Sequence, residues 1–388
     1  MNDKATIQRT IRDQSDDLRA LSLDIHAHPE LNFEEHHAHD ALTAFLEQRG
    51  FALERGAYGI ETAFVARYGS CSPTIAVLCE YDALPEIGHA CGHNLIAASG
   101  AAAGLGLKEA LGDGEGTLLV LGTPAEEGGG GKIAMIERGA FEEVDAAFMV
   151  HPSPGNNAWP AIMALHELEV EFFGKNAHAA AYPWEGVNAL DAFVLAYNGI
   201  AVLRQQLQPD TRVHGIVTDG GAKPNIIPDH TAADFYLRGR DNTRLATLKD
   251  RVLACFTGAA QATGCRLEHR WVGHPYYNMS TSDPIAEAYV ANMQSLGTML
   301  PAKGVGPTAG STDMGNVSHV VPSIHPMFAI ETEGGNHTPE FTAAVATTSA
   351  HESMLDAAIA MAMTAHDLFT DKDRLKRAHQ EFVAQSSA

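Results

Sequence analysis

Short apolar segments alternate with longer helical patterns over the first part of the chain. Residues 75–78, 118–121 and 146–150 are almost entirely apolar, which is typical of strands that are buried on both faces of a sheet. Helical patterns occur between them at residues 95–111 and 133–138. Strands that alternate with helices predict an α/β domain in which a mostly parallel central sheet is flanked by helices.

The N-terminal region has the spacing of helices. Apolar residues recur at this spacing from Ile7 to Ile25, and residues 34–50 follow a similar pattern. We therefore expect one amphipathic helix to open the chain and a second helix to follow it.

The pattern changes near residue 165. Leu168, Val170 and Phe172 alternate with glutamates, which is the period of a strand with one face in water. The elements predicted after this strand are a helix at 187–207, strands at 212–218 and 232–238, a helix at 244–263 and a strand at 266–272. This order of strands and helices is that of a ferredoxin-like α+β unit.

After Gly273 the pattern of the first part returns. Helices are predicted near residues 284–296 and 344–368, around a strand at 324–330. We therefore expect a catalytic domain formed by residues 1–164 and 274–388, with residues 165–273 inserted as a second domain.

Composition and charge narrow the range of partners. The chain has 388 residues, of which 45% are hydrophobic, and a net charge of −22. Such an acidic chain is not expected to bind nucleic acid or an anionic membrane, and no segment is apolar over the length of a membrane span. The polar start of the sequence lacks the apolar core of a secretion signal. We expect a cytoplasmic protein that acts on a small molecule, and the five cysteines do not indicate a disulfide framework.

Several residues of metal-ligating type occur in polar surroundings. Together they supply one thiolate, three imidazoles and one carboxylate, a set that suits zinc and is large enough for more than one divalent ion. These residues are Cys91, His93, Glu127, His151 and His337. Glu126 directly precedes one of them, and a carboxylate beside a metal-activated water is the arrangement of a hydrolase with its own general base.

The candidate residues also follow the predicted strands. Asp82 follows the first strand, Glu126 and Glu127 follow the second, and His151 follows the third. Because α/β sheets bind ligands beyond the carboxyl ends of their strands, we expect these side chains to lie close together. His337 then has to join them from the part of the chain that follows the inserted domain.

Six short motifs occur in order over nearly the whole chain. They are Tyr81-Asp-Ala-Leu-Pro85, His89-Ala-Cys-Gly-His-Asn94, Pro124-Ala-Glu-Glu-Gly128, Ala177-His178 with Pro183-Trp184, Asn225-Ile-Ile-Pro228 and Gly310-Ser-Thr-Asp-Met-Gly-Asn316. With these motifs the chain resembles the M20 metallopeptidase family. It is most similar to the amidohydrolase branch, which includes aminoacylases, hippurate hydrolases, indole-acetyl-amino-acid hydrolases and p-aminobenzoyl-glutamate hydrolase. Within that branch it resembles the dipeptidases called peptidase M20 domain-containing protein 2.

The resemblance implies a hydrolase with two divalent metal ions that cleaves the amide bond of an N-acyl amino acid or a dipeptide. The implied ligands are Cys91, which bridges the two ions, and His93, Glu127, His151 and His337. Glu126 is implied as the general base that takes a proton from the attacking water and delivers it to the leaving amine. Asp82 is implied as the residue that orients a ligand imidazole. Thiolate and imidazole ligands favour zinc, while manganese or cobalt could occupy the same set.

The resemblance also assigns roles in the inserted domain, which it implies to be a lid and dimerisation domain. His178 matches the histidine that in this family reaches the active site of the partner subunit and stabilises the oxyanion, so a homodimer is implied. Asn225 and His214 match lid positions near the substrate carboxylate, and Arg238 is a further candidate for the same charge.

Two residues depart from the family pattern. Glu80 stands where many relatives outside this branch have a metal-binding histidine, so the Cys-containing ligand set is expected to supply the site instead. Asn94 stands where many amidohydrolase relatives have aspartate, which removes a negative charge near the metals.

Alternative interpretations of the same residues stay open. The chain has 20 histidines, and an isolated histidine is more often solvated or hydrogen-bonded than bound to a metal. Cys91 could instead be a nucleophile activated by His93 or His89. A third hypothesis is a catalytically silent binding protein on the same fold. Loss of activity on chelation and its return with metal would exclude the cysteine mechanism.

Overall fold

The structure, a computed structural model, describes residues 3–112, 114–305 and 308–386. The chain divides into two compact units. The first unit consists of Met1–Ala161 with Met279–Ala388, and the second of Ile162–Asn278.

Helices and strands alternate over most of the described residues. The helices are α1 (Asp3–Asp13), α2 (Ser15–Ala27), α3 (His36–Gln48), α4 (His93–Ala110), α5 (Gly131–Glu137), α6 (Ala189–Leu203), α7 (Asn242–Thr263), α8 (Asp283–Ser295), α9 (Met314–Ser318), α10 (Pro339–Ala344), α11 (Thr348–Thr370) and α12 (Lys372–Ser386). The strands are β1 (Ala52–Arg55), β2 (Phe64–Gly69), β3 (Thr74–Glu80), β4 (Thr117–Thr123), β5 (Ala146–Phe148), β6 (His151–Ser153), β7 (Ala161–Ile162), β8 (Ala164–Phe173), β9 (Arg212–Asp219), β10 (His230–Gly239), β11 (Arg266–Tyr276), β12 (Thr308–Ala309), β13 (Ser323–Ile324) and β14 (Met327–Ala329).

The first unit is built on a six-stranded sheet in the order β1-β2-β4-β3-β5-β13. Strands β4, β3, β5 and β13 pair in parallel, while β1 and β2 add an antiparallel edge. Every residue of β3 and β4 is buried, as expected for strands covered on both faces. The predicted α/β class with a mostly parallel central sheet is confirmed.

Helix α4 packs closely against this sheet. A Cβ atom placed on Gly100 would lie 2.5 Å from the carbonyl oxygen of Leu78 and 2.6 Å from Sγ of Cys79. Only glycine permits this approach of the helix to β3. Because α4 begins at His93, its close packing also fixes the position of that side chain.

The second unit is a four-stranded antiparallel sheet in the order β11-β8-β10-β9. One face packs on α6 and α7, where Leu168, Val170 and Phe172 are buried in the same core as Phe256. The sequence order of its elements is strand, helix, strand, strand, helix, strand, which is the predicted ferredoxin-like order.

Two local expectations were wrong, and one pair of strands was missed. The expected N-terminal helix is two helices, which are separated at Gln14. Strands β1 and β2 were not expected, because they are short and partly exposed. The expected strand at 324–330 is divided into β13 and β14, and Pro326 between them has no N–H to donate to a ladder.

Candidate metal centre

The candidate ligands follow the carboxyl ends of the parallel strands in the first unit. Strand β3 ends at Glu80, two residues before Asp82, and β4 ends at Thr123, shortly before Glu126. His151 begins β6, just after the end of β5. The sheet therefore brings together side chains that are distant in sequence, as expected for an α/β fold.

Gly92 separates two of the candidate ligands and has a left-handed backbone. Its φ is +81°, and an added Cβ atom would lie 2.5 Å from Cγ of Pro152. Glycine is therefore required at this turn, which places Cys91 before the first residue of α4 and His93 at its start.

The five predicted ligands lie together in two overlapping clusters. Cys91, His93 and His151 form one cluster, and Cys91, Glu127 and His337 form the other, with the candidate ligand atoms of each cluster within 4.8 Å of one another. Sγ of Cys91 lies 3.4 Å from Nε2 of His151, and Nε2 of His337 lies 3.4 Å from Oε1 of Glu127. Cys91 is therefore placed where it could contact two ions.

Hydrogen bonds fix which ring nitrogen two of the candidate histidines, His93 and His151, present. Nδ1 of His93 lies 2.8 Å from the carbonyl oxygen of Asp82 and 3.1 Å from its Oδ1. Nδ1 of His151 lies 2.7 Å from the carbonyl oxygen of Pro152. Because a carbonyl oxygen can only accept, both Nδ1 atoms carry hydrogen, so each ring has its lone pair on Nε2 when it is neutral, as a metal ligand is.

Asp82 connects two of the candidate ligands. Its Oδ1 is close to the ring of His93, and its Oδ2 accepts a hydrogen bond of 2.8 Å from the backbone N–H of Glu127. The side chain is 1% exposed. This is the arrangement expected of a residue that orients a ligand imidazole.

Glu126 lies beside the clusters and is 7% exposed. Its Oε2 is 4.0 Å from Nε2 of His93. Burial, together with the negative charges of Glu80 and Glu127, raises the pKa of Glu126 well above its usual value. A carboxyl group with a raised pKa holds a proton more readily than an ordinary glutamate does, which suits a group that takes up a proton and later returns it.

Two residues next to the candidate site have left-handed backbones although they are not glycine. The φ of Ala125 is +58°, and that of His337 is +68°. Such conformations cost on the order of 1 kcal/mol and persist where the surroundings enforce them. The backbone N–H of Ala125 donates to Oε1 of Glu35 over 2.9 Å, and that of His337 donates to the carbonyl oxygen of Ala90 over 2.8 Å.

A buried group of charged residues next to the clusters was not predicted. Nζ of Lys132 contacts Oε2 of Glu80 and lies 2.8 Å from Oδ1 of Asp313, and all three residues are 0% exposed. Oε1 of Glu80 lies 3.0 Å from Nε2 of His93. Glu80 and the motif that contains Asp313 stand out in the sequence, but nothing in it links them to Lys132, which belongs to a short helical pattern 181 residues before Asp313.

Three buried atoms at the clusters have no hydrogen-bond partner among the described residues. They are Oε1 of Glu127, Nε2 of His93 and Oε1 of Glu80. An unsatisfied buried polar atom is costly, and these atoms converge with Sγ of Cys91 on the same region. The donor set and its open atoms therefore fit divalent metal ions of the zinc type.

The other predicted residues lie in the second unit. His178 is exposed and pairs with Ile226, next to Asn225, whose carbonyl oxygen accepts from the N–H of Ala179. Nδ1 of His178 accepts hydrogen bonds of 3.3 and 3.2 Å from the N–H groups of Ala180 and Ala181. The neutral ring therefore carries its hydrogen on Nε2.

The two remaining candidates are neighbours on β9 and β10. Nε of Arg238 donates to Nε2 of His214 over 3.4 Å. Burial, with the charge of Arg238, lowers the pKa of His214. The structure thus pairs His214 with Arg238, and the segment of His178 with that of Asn225.

Comparison with known proteins gives concordant results. The model of peptidase family M20/M25/M40 matches residues 77–361. The Xaa-Arg dipeptidase of Mus musculus is 46% identical over 96% of this chain and 90% of its own length. A p-aminobenzoyl-glutamate hydrolase chain of Escherichia coli is 31% identical over 91% of this chain and 89% of its own length.

A solved structure has the same fold. It is that of a dinuclear metal-binding peptidase from the M20 family of Bacillus subtilis, with a TM-score of 0.74 and 20% sequence identity, and the match covers 92% of this chain and 99% of that protein's chain.

Proposed function

The chain belongs to peptidase family M20/M25/M40, and from this we propose that it is a metal-dependent amidohydrolase that cleaves dipeptides or N-acyl amino acids. Peptidases hydrolyse amide bonds, so the predicted enzyme class is confirmed at the level of the family. The main support for metal-dependent hydrolysis is that two clusters of candidate ligands share Cys91 and lie beside Glu126.

We propose two divalent ions. Cys91, His93 and His151 would hold one of them, and Cys91, Glu127 and His337 the other. When bound, such ions supply Lewis acidity for the amide carbonyl and for the attacking water. Zinc is the proposed metal because the set is rich in imidazole and thiolate.

Glu126 is the proposed general base. Its carboxylate takes a proton from the attacking water and then delivers it to the nitrogen of the leaving amine. The raised pKa of Glu126, caused by burial and by Glu80, supports this role because proton return requires an acid of moderate strength.

We also propose that His178 donates from its Nε2–H to the developing oxyanion in the site of a partner subunit. The two backbone hydrogen bonds to its Nδ1 support this, because they leave the hydrogen on Nε2. His178 is also exposed, as a residue that acts on another subunit must be.

A homodimer formed by the second unit is part of this proposal. The outer face of α6 exposes apolar side chains, with Val202 73% exposed, and β9 exposes Ile216 at 66%. Strand β9 is also an edge of its sheet and has no further strand partner among the described residues. Exposed apolar surface and an open strand edge are typical of protein–protein contacts.

Dipeptides are the proposed first substrates, because the similar proteins reported above include an Xaa-Arg dipeptidase. For the substrate carboxylate we propose Asn225, His214 and Arg238, of which Arg238 supplies the positive charge. All five cysteines are free thiols, which supports a reducing compartment such as the cytoplasm. No helix of the described residues is long and apolar enough to cross a membrane.

A cysteine nucleophile is less consistent with the site. Burial and the charge of Glu127 raise the pKa of the Cys91 thiol well above its usual value. A thiol in this state is a poor nucleophile at neutral pH. The same thiol becomes a thiolate when it binds a metal ion, since a coordinating cation deprotonates it.

The test is hydrolysis by metal-free protein with and without added zinc, manganese or cobalt. The panel contains dipeptides, including several that end in arginine, together with N-acetyl, N-benzoyl and indole-acetyl amino acids. Metal-dependent release of an amino acid is the expected result. Equal activity in the presence of a chelator would contradict the metal mechanism, and no turnover by folded protein with two bound ions would favour a silent binding protein.

A further inference from the structure

Glu80 is completely buried at the end of β3, and its two carboxylate oxygens have different surroundings. Oε2 is held by the ammonium group of Lys132. Oε1 lies 3.0 Å from Nε2 of His93, yet neither of these two atoms has a hydrogen-bond partner among the described residues.

Oε1 of Glu80 and Nε2 of His93 lie within ion-pair distance but do not form a well-aligned hydrogen bond. Nδ1 of His93 already donates to the carbonyl oxygen of Asp82, so Nε2 of the neutral ring carries a lone pair. With no cation present, a proton on Nε2 offsets the charge of Glu80, because, against the effect of burial, the negative charges of Glu80 and Asp82 raise the pKa of His93 well above its usual value. A divalent cation between the two atoms would take the place of that proton and bind both the lone pair of the neutral ring and Oε1 of Glu80.

Lys132 fixes the position of the Glu80 carboxylate. Its ammonium group pairs with Glu80 and with Oδ1 of Asp313, and its backbone N–H donates to Oδ2 of Asp313 over 2.9 Å. Charges buried as deeply as these are retained only when they are paired. Because Lys132 occupies Oε2 of Glu80, Oε1 is the atom left for another partner.

We propose that Glu80 is a further ligand of the ion bound at His93 and that Lys132 is the residue that positions it. Candidate ligand atoms of Glu80, His93 and Glu126 lie within 4.8 Å of one another, so Glu80 is close to the proposed base as well as to His93. The inference rests on the proposed metal centre. It makes the two ions unequal in ligand number, because Glu80 becomes a fourth protein ligand of the His93 ion, whereas the His337 ion keeps three ligands, of which Glu127 is the carboxylate.

The test replaces the metals with Co²⁺, whose visible absorption is stronger when it has four ligands than when it has five or six. Metal-free wild-type protein and the Glu80→Gln variant are titrated with Co²⁺, and stoichiometry, affinity and absorption are measured for each bound ion. We expect two ions in both proteins. In the variant, one ion should bind about 10- to 100-fold more weakly and show an altered absorption spectrum.

Two variants of Lys132 test whether this residue positions Glu80 without binding the metal itself. They are Lys132→Met and Lys132→Arg. Lys132→Met should bind one Co²⁺ ion more weakly than wild type and change its absorption spectrum, and both changes should be smaller than those in Glu80→Gln. Lys132→Arg should have the affinity and spectrum of wild type, because it keeps the positive charge. If circular dichroism shows that Glu80→Gln is unfolded, Glu80→Asp is the second variant. It retains the charge but is one methylene shorter, so one Co²⁺ ion should again bind more weakly than in wild type.

The outcomes are distinct. If wild type binds two ions and the folded Glu80 variants give the same affinities and spectra, Glu80 is not a ligand, while the proposed metal centre stands. If wild-type protein binds no Co²⁺ at these residues, the proposed metal centre and the metal-dependent function are both contradicted, whatever the Glu80 variants show.

Discussion

The carboxylate of Glu35 accepts a hydrogen bond of 2.9 Å from the backbone N–H of Ala125, the residue directly before Glu126. Glu35 is completely buried. Burial, with the negative charge of Asp82, raises its pKa from the usual 4.5 to about 7. Glu35 thus holds the left-handed turn that carries the proposed base.

This pKa predicts a pH-dependent stability. Between about pH 4.5 and 7 folded protein retains a proton on Glu35 that the unfolded chain has lost, so the free energy of unfolding falls as the pH rises through this range. Glu35→Gln should remove this component, which amounts to at most about 3 kcal/mol. Urea unfolding of metal-free protein at pH 5 and pH 8 measures it. The exposed Glu61 provides the matched control Glu61→Gln, and identical pH dependence of Glu35→Gln and wild type would contradict the prediction.

Asp82→Asn should weaken metal binding without unfolding the protein. The variant loses the charge that orients the ring of His93, and loss of such a partner typically costs about 10- to 100-fold in metal affinity. Zinc titration in competition with a chelator measures the change. Asp250→Asn, on the exposed side of α7, is the control, and unchanged zinc affinity of Asp82→Asn would show that the hydrogen bond does not orient a ligand.

Glu126→Gln should lower turnover by at least about 100-fold, since general-base catalysis contributes about 100- to 10,000-fold. Both metal ions should remain, because the variant keeps every proposed metal ligand. Turnover and metal content are measured on the same preparation. Loss of the metals together with activity would make Glu126 a ligand and not the base.

His178→Ala should be inactive with its metals bound, and it tests the dimer. Mixed dimers of His178→Ala and Glu126→Gln contain one site with both functional residues if His178 acts across the interface. Recovery of activity in these dimers is the expected result. No recovery in confirmed heterodimers would place His178 in its own subunit's site or outside the chemistry.

His337→Asn and His337→Ala should both lose one of two bound ions, but they should differ in stability. Asn tolerates a left-handed backbone better than alanine does, and His337 has a φ of +68°. Metal-free His337→Asn should therefore be more stable than His337→Ala, by about 1 kcal/mol at most. Metal analysis and urea unfolding test the two parts separately, and a full complement of two ions would exclude His337 as a ligand.

Val202→Glu should convert the proposed dimer to a monomer. A charge in an apolar contact is costly, and Val202 is 73% exposed on α6. Met299 in the first unit has the same exposure, so Met299→Glu is a matched control that should remain dimeric. Light scattering after size-exclusion chromatography measures the mass of each variant. If Val202→Glu remains a dimer, Val202 does not lie in the dimer interface.

The sequence predicted the candidate ligands because their chemistry is specific. Cysteine, histidine and glutamate in short motifs on the loops that follow buried strands are typical of a metal site in an α/β fold. The structure places Cys91, His93, Glu127, His151 and His337 in two overlapping clusters. The strands themselves were predictable from their unbroken apolar character.

The supporting charges could not be predicted in the same way. Glu35 follows Glu34, and only the structure shows that Glu35 is buried while Glu34 is exposed. Lys132 and Asp313 are 181 residues apart, and no local pattern indicates that a lysine will be buried between two carboxylates. Burial of a charge depends on tertiary partners, which single-sequence periodicity does not report.

The return of the chain to the first unit has a consequence for biosynthesis. Strand β5 pairs with β13, whose first residue, Ser323, is about 175 residues after Phe148. At a synthesis rate of about 5–20 residues per second, β5 waits roughly 9–35 s for this neighbour. Until then the nascent sheet presents an apolar, unpaired border to solvent or to a chaperone. The second unit is made during this interval, so it can fold before the central sheet closes.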